Sequence, residues 1–273
     1  MKVQPFQVVK PFNENLIVQV DSGKAFYQTL HQHNEVQLSF ILKGNGKLLI
    51  GDSIHTFSNG DFFAIGANSP HVFKSDKAQE GVLMISLFFT KHTFGEKFFE
   101  LSDLEEIMPF FDMVKDGFRL LSHIKEVTDL MLQFTQISKL LRVTLFLRLL
   151  ALLCKADKNS LTDFNHPKQL GDLAGERMQT VFDYALHNFH EEIKLNVVSA
   201  LVFMTPNAFC KFFKKRTNKT FFQFLIELRV EHACQLLQKN SDVSIADIAE
   251  QSGFKSISNF NRKFRSYKGV VPS

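Results

Sequence analysis

The sequence predicts an α+β multidomain chain: a β-rich N-terminal barrel followed by helices, then an all-α C-terminal domain with two helix-turn-helix units. Three observations carry that expectation. Residues 16–90 hold short β-favouring runs divided by turn signals. From about residue 94 the apolar period becomes helical. The C-terminal third then repeats itself at an offset of 51 residues, with Thr205 falling on Ser256.

A chain of 273 residues is long enough for two ordinary domains. Phenylalanine is abundant, 31 against 3 tyrosines and no tryptophan, so most of the aromatic bulk carries no polar group and belongs to packing. Cys154, Cys210 and Cys234 lie far apart without CxxC spacing, which excludes a disulfide framework or zinc ribbon. The opening stretch "MKVQPFQVVKPFNENL" has no signal-peptide pattern, and "LLRVTLFLRLLALLC" is too short and too interrupted by Arg142 and Arg148 to span a bilayer. The expectation is a cytoplasmic protein with no membrane partner.

The strand candidates are "EVQLSFIL", "GKLLIG", "SIHTF", "DFFAIG" and "GVLMISLFF", separated by "KGNGK", "SNGD" and "NSP". Their close spacing suits a small barrel or sandwich over residues 1–92. Within it His31, His33 and Gln37 stand at even spacing, so one strand would turn all three to one side. Phe26, Tyr27, Phe40 and Phe63 are candidates for pocket lining or core. Residues 93–156 read as helical: Ile124, Val127, Met131, Phe134, Ile137 and Leu141 form a stripe at spacings of three and four, and a second helix carries it on to Cys154. "KADKNSLTDFNHPKQLGD", with Pro167 and Gly171, reads as a linker over 157–175.

Residues 176–273 read as helical throughout and hold the basic excess, 14 Lys+Arg against 9 Asp+Glu from Glu176 onward. Clustered cations point to a polyanion partner. Within the repeat, Phe209 matches Phe260, Lys211 matches Arg262 and Phe213 matches Phe264. Each copy starts a helix with a hydroxyl N-cap, Thr205 or Ser256, and the first adds Pro206 at N1. Short helices precede both, "KLNVVSAL" and "SIADIAEQ", the second opened by the Ser244–Asp247 capping pair. Helix, tight turn, helix is the unit whose second helix enters the major groove of DNA. The outward faces carry Asn207, Cys210 and Lys211 in one copy and Ile257, Ser258, Asn261 and Arg262 in the other. Such short polar and basic groups let the backbone approach base edges. Lys214, Lys215, Arg216, Lys219, Lys263, Arg265 and Lys268, with the caps Thr205 and Ser256, are placed for phosphates. One such unit is common in any helical bundle; two in register are much harder to obtain by accident.

Residues 176–273 resemble the AraC/XylS transcriptional regulators. The most specific part is "IADIAEQSGFKSISNFNRKFRSYKGVVPS", through Ile248, Ala249, Gly253, Phe254, Phe260, Arg262, Phe264, Gly269 and Pro272. "FFQFLIELRVEHACQLL", with Leu228, Arg229, Ala233 and Leu237, resembles the family's connecting helix. The resemblance implies that Asn207, Cys210, Lys211, Ile257, Ser258, Asn261 and Arg262 read bases in successive major-groove segments of double-stranded DNA. The first unit departs from the pattern, with Val198 where the family has Ala and no glycine like Gly253 in its turn. The His-x-His pair, Gly44, Gly46, Gly60-Asp61 and Pro70-His71 are similar to the cupin sensor domain of such regulators. That implies a cupin-like barrel binding a small-molecule effector at His31, His33, Gln37 and His71. It also implies a homodimer built on the helices of 93–156, with RNA polymerase as a further partner. Metal-using cupins add a carboxylate to their histidines; Gln37 stands at that position, so no metal and no cofactor are expected. The readings left open are a metal-dependent cupin enzyme, a dioxygenase or isomerase with a helical appendage, and a constitutive architectural DNA binder.

Overall fold

A computed structural model describes residues 15–76, 81–162, 172–239 and 243–272. Pro167, Gly171 and residues 1–14 lie outside the described residues. The chain divides into two compact units, one made chiefly of residues 4–51 and 57–170, the other chiefly of 171–273.

The described residues hold nine strands: β1 (Ile17–Gly23), β2 (Val36–Lys43), β3 (Gly46–Ile50), β4 (Ser53–Phe57), β5 (Phe62–Ile65), β6 (His71–Ser75), β7 (Val82–Phe89), β8 (Phe118–Leu120) and β9 (Lys158–Ser160). They form a six-stranded sheet in the order β1-β7-β2-β5-β8-β9 and a three-stranded sheet in the order β4-β3-β6. Period-two alternation sorts the side chains of the larger sheet. Leu38, Phe40, Phe62, Ala64, Ile85, Leu87 and Phe89 join a core shared with the helices that follow, whereas Ile41, Phe63, Ile65 and Met84 join Leu48, Ile50 and Phe73 between the sheets. The sequence left Phe26, Tyr27, Phe40 and Phe63 as lining or core. Phe26 and Phe63 pack between the sheets, Phe40 packs outward against the helices, and Tyr27 is exposed.

Three helices follow, α1 (Met108–Met113), α2 (Ile124–Gln133) and α3 (Lys139–Lys155). The apolar stripe is not continuous to Leu141. α2 stops at Gln133; Phe134 is fully buried just beyond its end, and Leu140 and Leu141 are exposed. Ser138 accepts from the Leu141 amide and starts α3, while Arg142 Nε donates to the Phe134 carbonyl oxygen at 3.1 Å, satisfying the end of α2. After α3 the chain returns to the sheet: β9, inside the stretch read as linker, pairs with β8. A three-residue strand formed by such distant pairing leaves no periodic trace in the sequence.

From residue 172 onward the described regular elements are all helices: α4 (Asp172–Asn188), α5 (Leu195–Leu201), α6 (Pro206–Thr217), α7 (Phe221–Lys239), α8 (Ile245–Gln251) and α9 (Ile257–Lys268). Phenylalanines fill it as composition predicts. Phe209, Phe213, Phe221 and Phe224 stack around α6, and Phe254, Phe260 and Phe264 form a separate cluster under α9, with ring centroids 5.2–5.8 Å apart. Among the described residues no single helix is long and apolar enough to cross a membrane.

Candidate DNA interface and buried histidine site

The two short helix pairs, α5–α6 and α8–α9, share one construction. Thr205 Oγ1 accepts from the Ala208 amide at 3.3 Å and Ser256 Oγ from the Asn259 amide at 3.5 Å, so each second helix is capped by the hydroxyl that the repeat marks. The turns also match. The Phe203 amide donates to Ala200 O at 3.0 Å and the Met204 amide to Ser199 O at 2.9 Å; the Gly253 amide donates to Glu250 O at 2.8 Å and the Phe254 amide to Ala249 O at 2.9 Å. Phe203 is therefore the counterpart of Gly253, and Ser199 of Ala249, with Lys255 the extra residue that lengthens the offset before the second cap. This corrects the departure read at Val198. The small-residue position of the first unit is held by Ser199, almost fully buried, and Val198 corresponds to Ile248, both fully buried.

Gly253 is required where it stands. Its φ is +81°, and a Cβ there would lie 2.6 Å from Phe189 O. Phe203 adopts φ +55° without a glycine's freedom, and its ring is 92% exposed. Arg229 of α7 donates through Nε to Phe189 O and through Nη2 to Glu191 O, each at 2.7 Å, tying the α4–α5 loop to the helix that connects the two pairs. The positions of Phe203 and Arg229 are not marked by the repeat. A bulky residue in a turn where the other copy has glycine was the available signal for Phe203.

Asn207, Cys210, Lys211, Ile257, Ser258, Asn261 and Arg262 are all exposed, along faces opposite the phenylalanine clusters. Arg262 Nη2 donates to Asn259 Oδ1 at 2.9 Å, which fixes the guanidinium along α9. The expected phosphate contacts divide. Thr205, Lys214, Lys215, Ser256 and Arg265 are exposed, and Lys263 is half-buried. Arg216 instead lies 4.1 Å over the Phe212 ring and donates to Phe212 O at 3.3 Å. Lys219 pairs with Glu227 at 2.8 Å, and Lys268 with Glu231. Those three cations are committed within the unit, so they are weaker candidates for phosphate than the sequence implied.

The second site lies in the barrel. His31, His33 and His71 are buried together, with one ring nitrogen from each within 4.8 Å of the others. His31, His33 and Gln37 do not share a strand as their spacing predicted: His31 makes an isolated bridge to His71, His33 sits before β2, and of the three Gln37 alone lies in β2. Gln37 Oε1 is 3.1 Å from His33 Nε2 and 3.0 Å from His71 Nε2. Beneath it Gln37 Nε2 donates to Ser39 Oγ at 2.8 Å, and Ser39 Oγ meets Ser86 Oγ at 2.8 Å across the β2–β7 ladder. Sequence reading missed this pair, although Ser39 follows Gln37 at the strand period.

All three Nδ1 atoms face backbone carbonyl oxygens: His31 that of Thr29 at 2.8 Å, His33 that of Glu35 at 2.9 Å and His71 that of Ser69 at 2.8 Å. A carbonyl only accepts, so each Nδ1 carries the hydrogen. Burial pushes the His31 pKa down to about 4, and the His71 pKa well below its usual range by burial and its two histidine neighbours; that of His33 is also lowered by burial. Neutral rings with Nδ1–H direct Nε2 lone pairs inward, the orientation that histidine ligands take under a carbonyl second shell. The three imidazoles, His31, His33 and His71, form a group that could hold a metal ion.

A family model described as a helix-turn-helix domain matches residues 198–273, and a cupin domain model matches residues 16–88. An uncharacterized HTH-type transcriptional regulator of Staphylococcus aureus strain COL is 25% identical over 88% of this chain and 31% of its own length. The chain thus spans about a third of the first curated relatives that it matches. A protein of Photobacterium leiognathi named "Probable transcriptional regulator LumQ" is 26% identical over 90% of this chain and 91% of its own length. Among solved structures, the DNA-binding domain of AdpA, a global transcriptional factor in complex with a target DNA, shares 30% identity over 37% of this chain and 87% of that chain, with a TM-score of 0.33.

Proposed function

Since this chain belongs to the AraC-type helix-turn-helix regulators carrying an N-terminal cupin domain, we propose that it is a sequence-specific DNA-binding transcriptional regulator whose barrel receives a small-molecule effector. The observation that carries the reading is the pair of cap-matched helices α6 and α9, each burying a phenylalanine face and exposing a polar and basic one. Asn207, Cys210 and Lys211 on α6 and Ile257, Ser258, Asn261 and Arg262 on α9 read base edges. Thr205, Lys214, Lys215, Ser256, Lys263 and Arg265 hold phosphates. The protein acts without catalysis, in the cytoplasm. It acts as a homodimer, for which the exposed Leu132, Leu140 and Leu141 offer an apolar surface.

The effector enters at His31, His33, Gln37 and His71, the polar layer of a barrel whose remaining interior is packed by Phe26, Phe57, Phe63 and Phe73. Ligand control requires that the effector favour one state of the protein over another. The DNA reading is tested by binding selection on randomised duplexes followed by two variants. Arg262→Ala should cost about 1–3 kcal/mol on the selected operator and relax preference at one base pair, whereas Lys215→Ala should weaken all sequences alike and reduce the salt slope by about 1. Equal losses on every sequence from both changes would remove Arg262 from base reading.

A further inference from the structure

Asn259 and Arg262 are exposed and stand one turn apart on α9, the spacing at which helix side chains meet. Arg262 Nη2 donates to Asn259 Oδ1 at 2.9 Å. A guanidinium has five N–H groups and no acceptor, so the bond also assigns the amide: the oxygen of Asn259, not its NH2, faces Arg262. The bond draws the Arg262 head back toward the N-terminus of α9, the end that enters the groove in a helix-turn-helix. Reading guanine O6 and N7 takes two N–H groups, so the brace and a base contact fit on one guanidinium. The helix itself does not depend on that side chain. The N-cap bond to Ser256 Oγ comes from the Asn259 backbone amide, which any residue but proline supplies. The repeat offers an internal comparison: position 259 corresponds to Ala208 in α6, so Lys211, the counterpart of Arg262, has no such amide one turn before it. An ammonium is a compact charge with three rotatable donors, whereas a planar fork must be oriented.

We propose that Asn259 is a positioning residue for sequence recognition: it presets the Arg262 guanidinium for one guanine, so the specificity of α9 depends on an amide that itself reads no base. A free arginine head samples many rotamers and loses that freedom on binding; one held in advance loses less. The proposal rests on the DNA-reading role assigned above, and in particular on Arg262 contacting a base.

The test uses the full-length chain and an operator selected from randomised duplexes, together with its single-base-pair substitutions. Arg262→Ala first identifies the base pair at which preference is relaxed. Asn259→Ala should then bind the selected operator about three- to tenfold more weakly and lose preference at that same base pair by a similar factor, while binding unrelated duplex as the parent does. In the Arg262→Ala background the same change should add less than about twofold, because the brace has nothing left to hold. Asn259→Asp keeps the acceptor and should keep the preference at that base pair, even though its charge lowers affinity for all DNA. A uniform loss on every duplex, a changed preference at a different base pair, or full additivity with Arg262→Ala would each overturn the positioning role. So would an Asn259→Ala protein with unaltered preference, or one whose circular dichroism shows lost helix, which would mark the side chain as structural. A parent that selects no preferred sequence, or an Arg262→Ala protein that relaxes none, would sink the base-reading role itself and the proposal with it.

Discussion

Two turn residues, Gly253 and Phe203, occupy the same place in the two helix pairs with opposite consequences. At Gly253 both the backbone angle and the approach of Phe189 O exclude a side chain, so Gly253→Ala should destabilise the helical unit by about 1–3 kcal/mol. At Phe203 the ring is solvent-exposed and the left-handed conformation is strained, so little packing is lost on replacement. Phe203→Asn should therefore hold or raise stability by up to about 1 kcal/mol, since asparagine tolerates that region. Urea unfolding of both variants checks the contrast in sign; a loss of more than 1 kcal/mol in Phe203→Asn would mean that the ring is held by something further. The three thiols give a second check at this scale. Cys210 is exposed on α6, whereas burial pushes the Cys234 pKa up to about 11 and raises that of Cys154. A thiol-specific reagent at neutral pH should modify Cys210 first, with the half-buried Cys154 and Cys234 following more slowly.

At the scale of elements, capping decided where sequence reading succeeded. Thr205 and Ser256 start α6 and α9 at the residues the repeat identifies, and Ser244 starts α8 as its capping pair with Asp247 predicts, because a hydroxyl N-cap is a local signal that tertiary context rarely overrides. Ser244 Oγ both accepts from the Asp247 amide at 3.1 Å and donates to Asp247 Oδ2 at 2.7 Å. Ser244→Ala should cost about 1 kcal/mol in a thermal melt while leaving the sequence preference of operator binding unchanged. The stripe from Ile124 to Leu141 was misread for the complementary reason. A spacing of three and four is compatible with one helix or with two, and the break after Gln133 is fixed by the burial of Phe134 and the reach of Arg142, both tertiary facts. The histidine site was legible in membership but not in mechanism. His31, His33, Gln37 and His71 converge, yet a bridge, a loop and a strand bring them together where even spacing suggested one strand.

For the molecule as a whole, the internal repeat was the most informative feature of the sequence, since it placed the two hydroxyl-capped helices α6 and α9 from residue types alone. What it could not convey is how cations are used. Arg216, Lys219 and Lys268 read as phosphate contacts until their partners Phe212, Glu227 and Glu231 are in view. If α6 lies in a groove, operator DNA should slow modification of Cys210 at least several-fold, while an equal mass of unrelated duplex at moderate salt protects much less. Equal protection by both would favour a binder that does not discriminate sequence.

The return of the chain to the sheet at β9 bears on how the protein can be taken apart. β9 covers the backbone of β8, and just outside it the Leu121 amide donates to Asp157 O and the Leu161 amide to Gly117 O. A recombinant fragment truncated at Ala156 would leave Phe118–Leu120 as a raw margin of unsatisfied amides and carbonyls, the kind of border that recruits other chains. Extending the fragment through Thr162 should turn a precipitating product into a monodisperse one on gel filtration, so the practical scissile point for isolating the N-terminal half lies beyond α3 and β9.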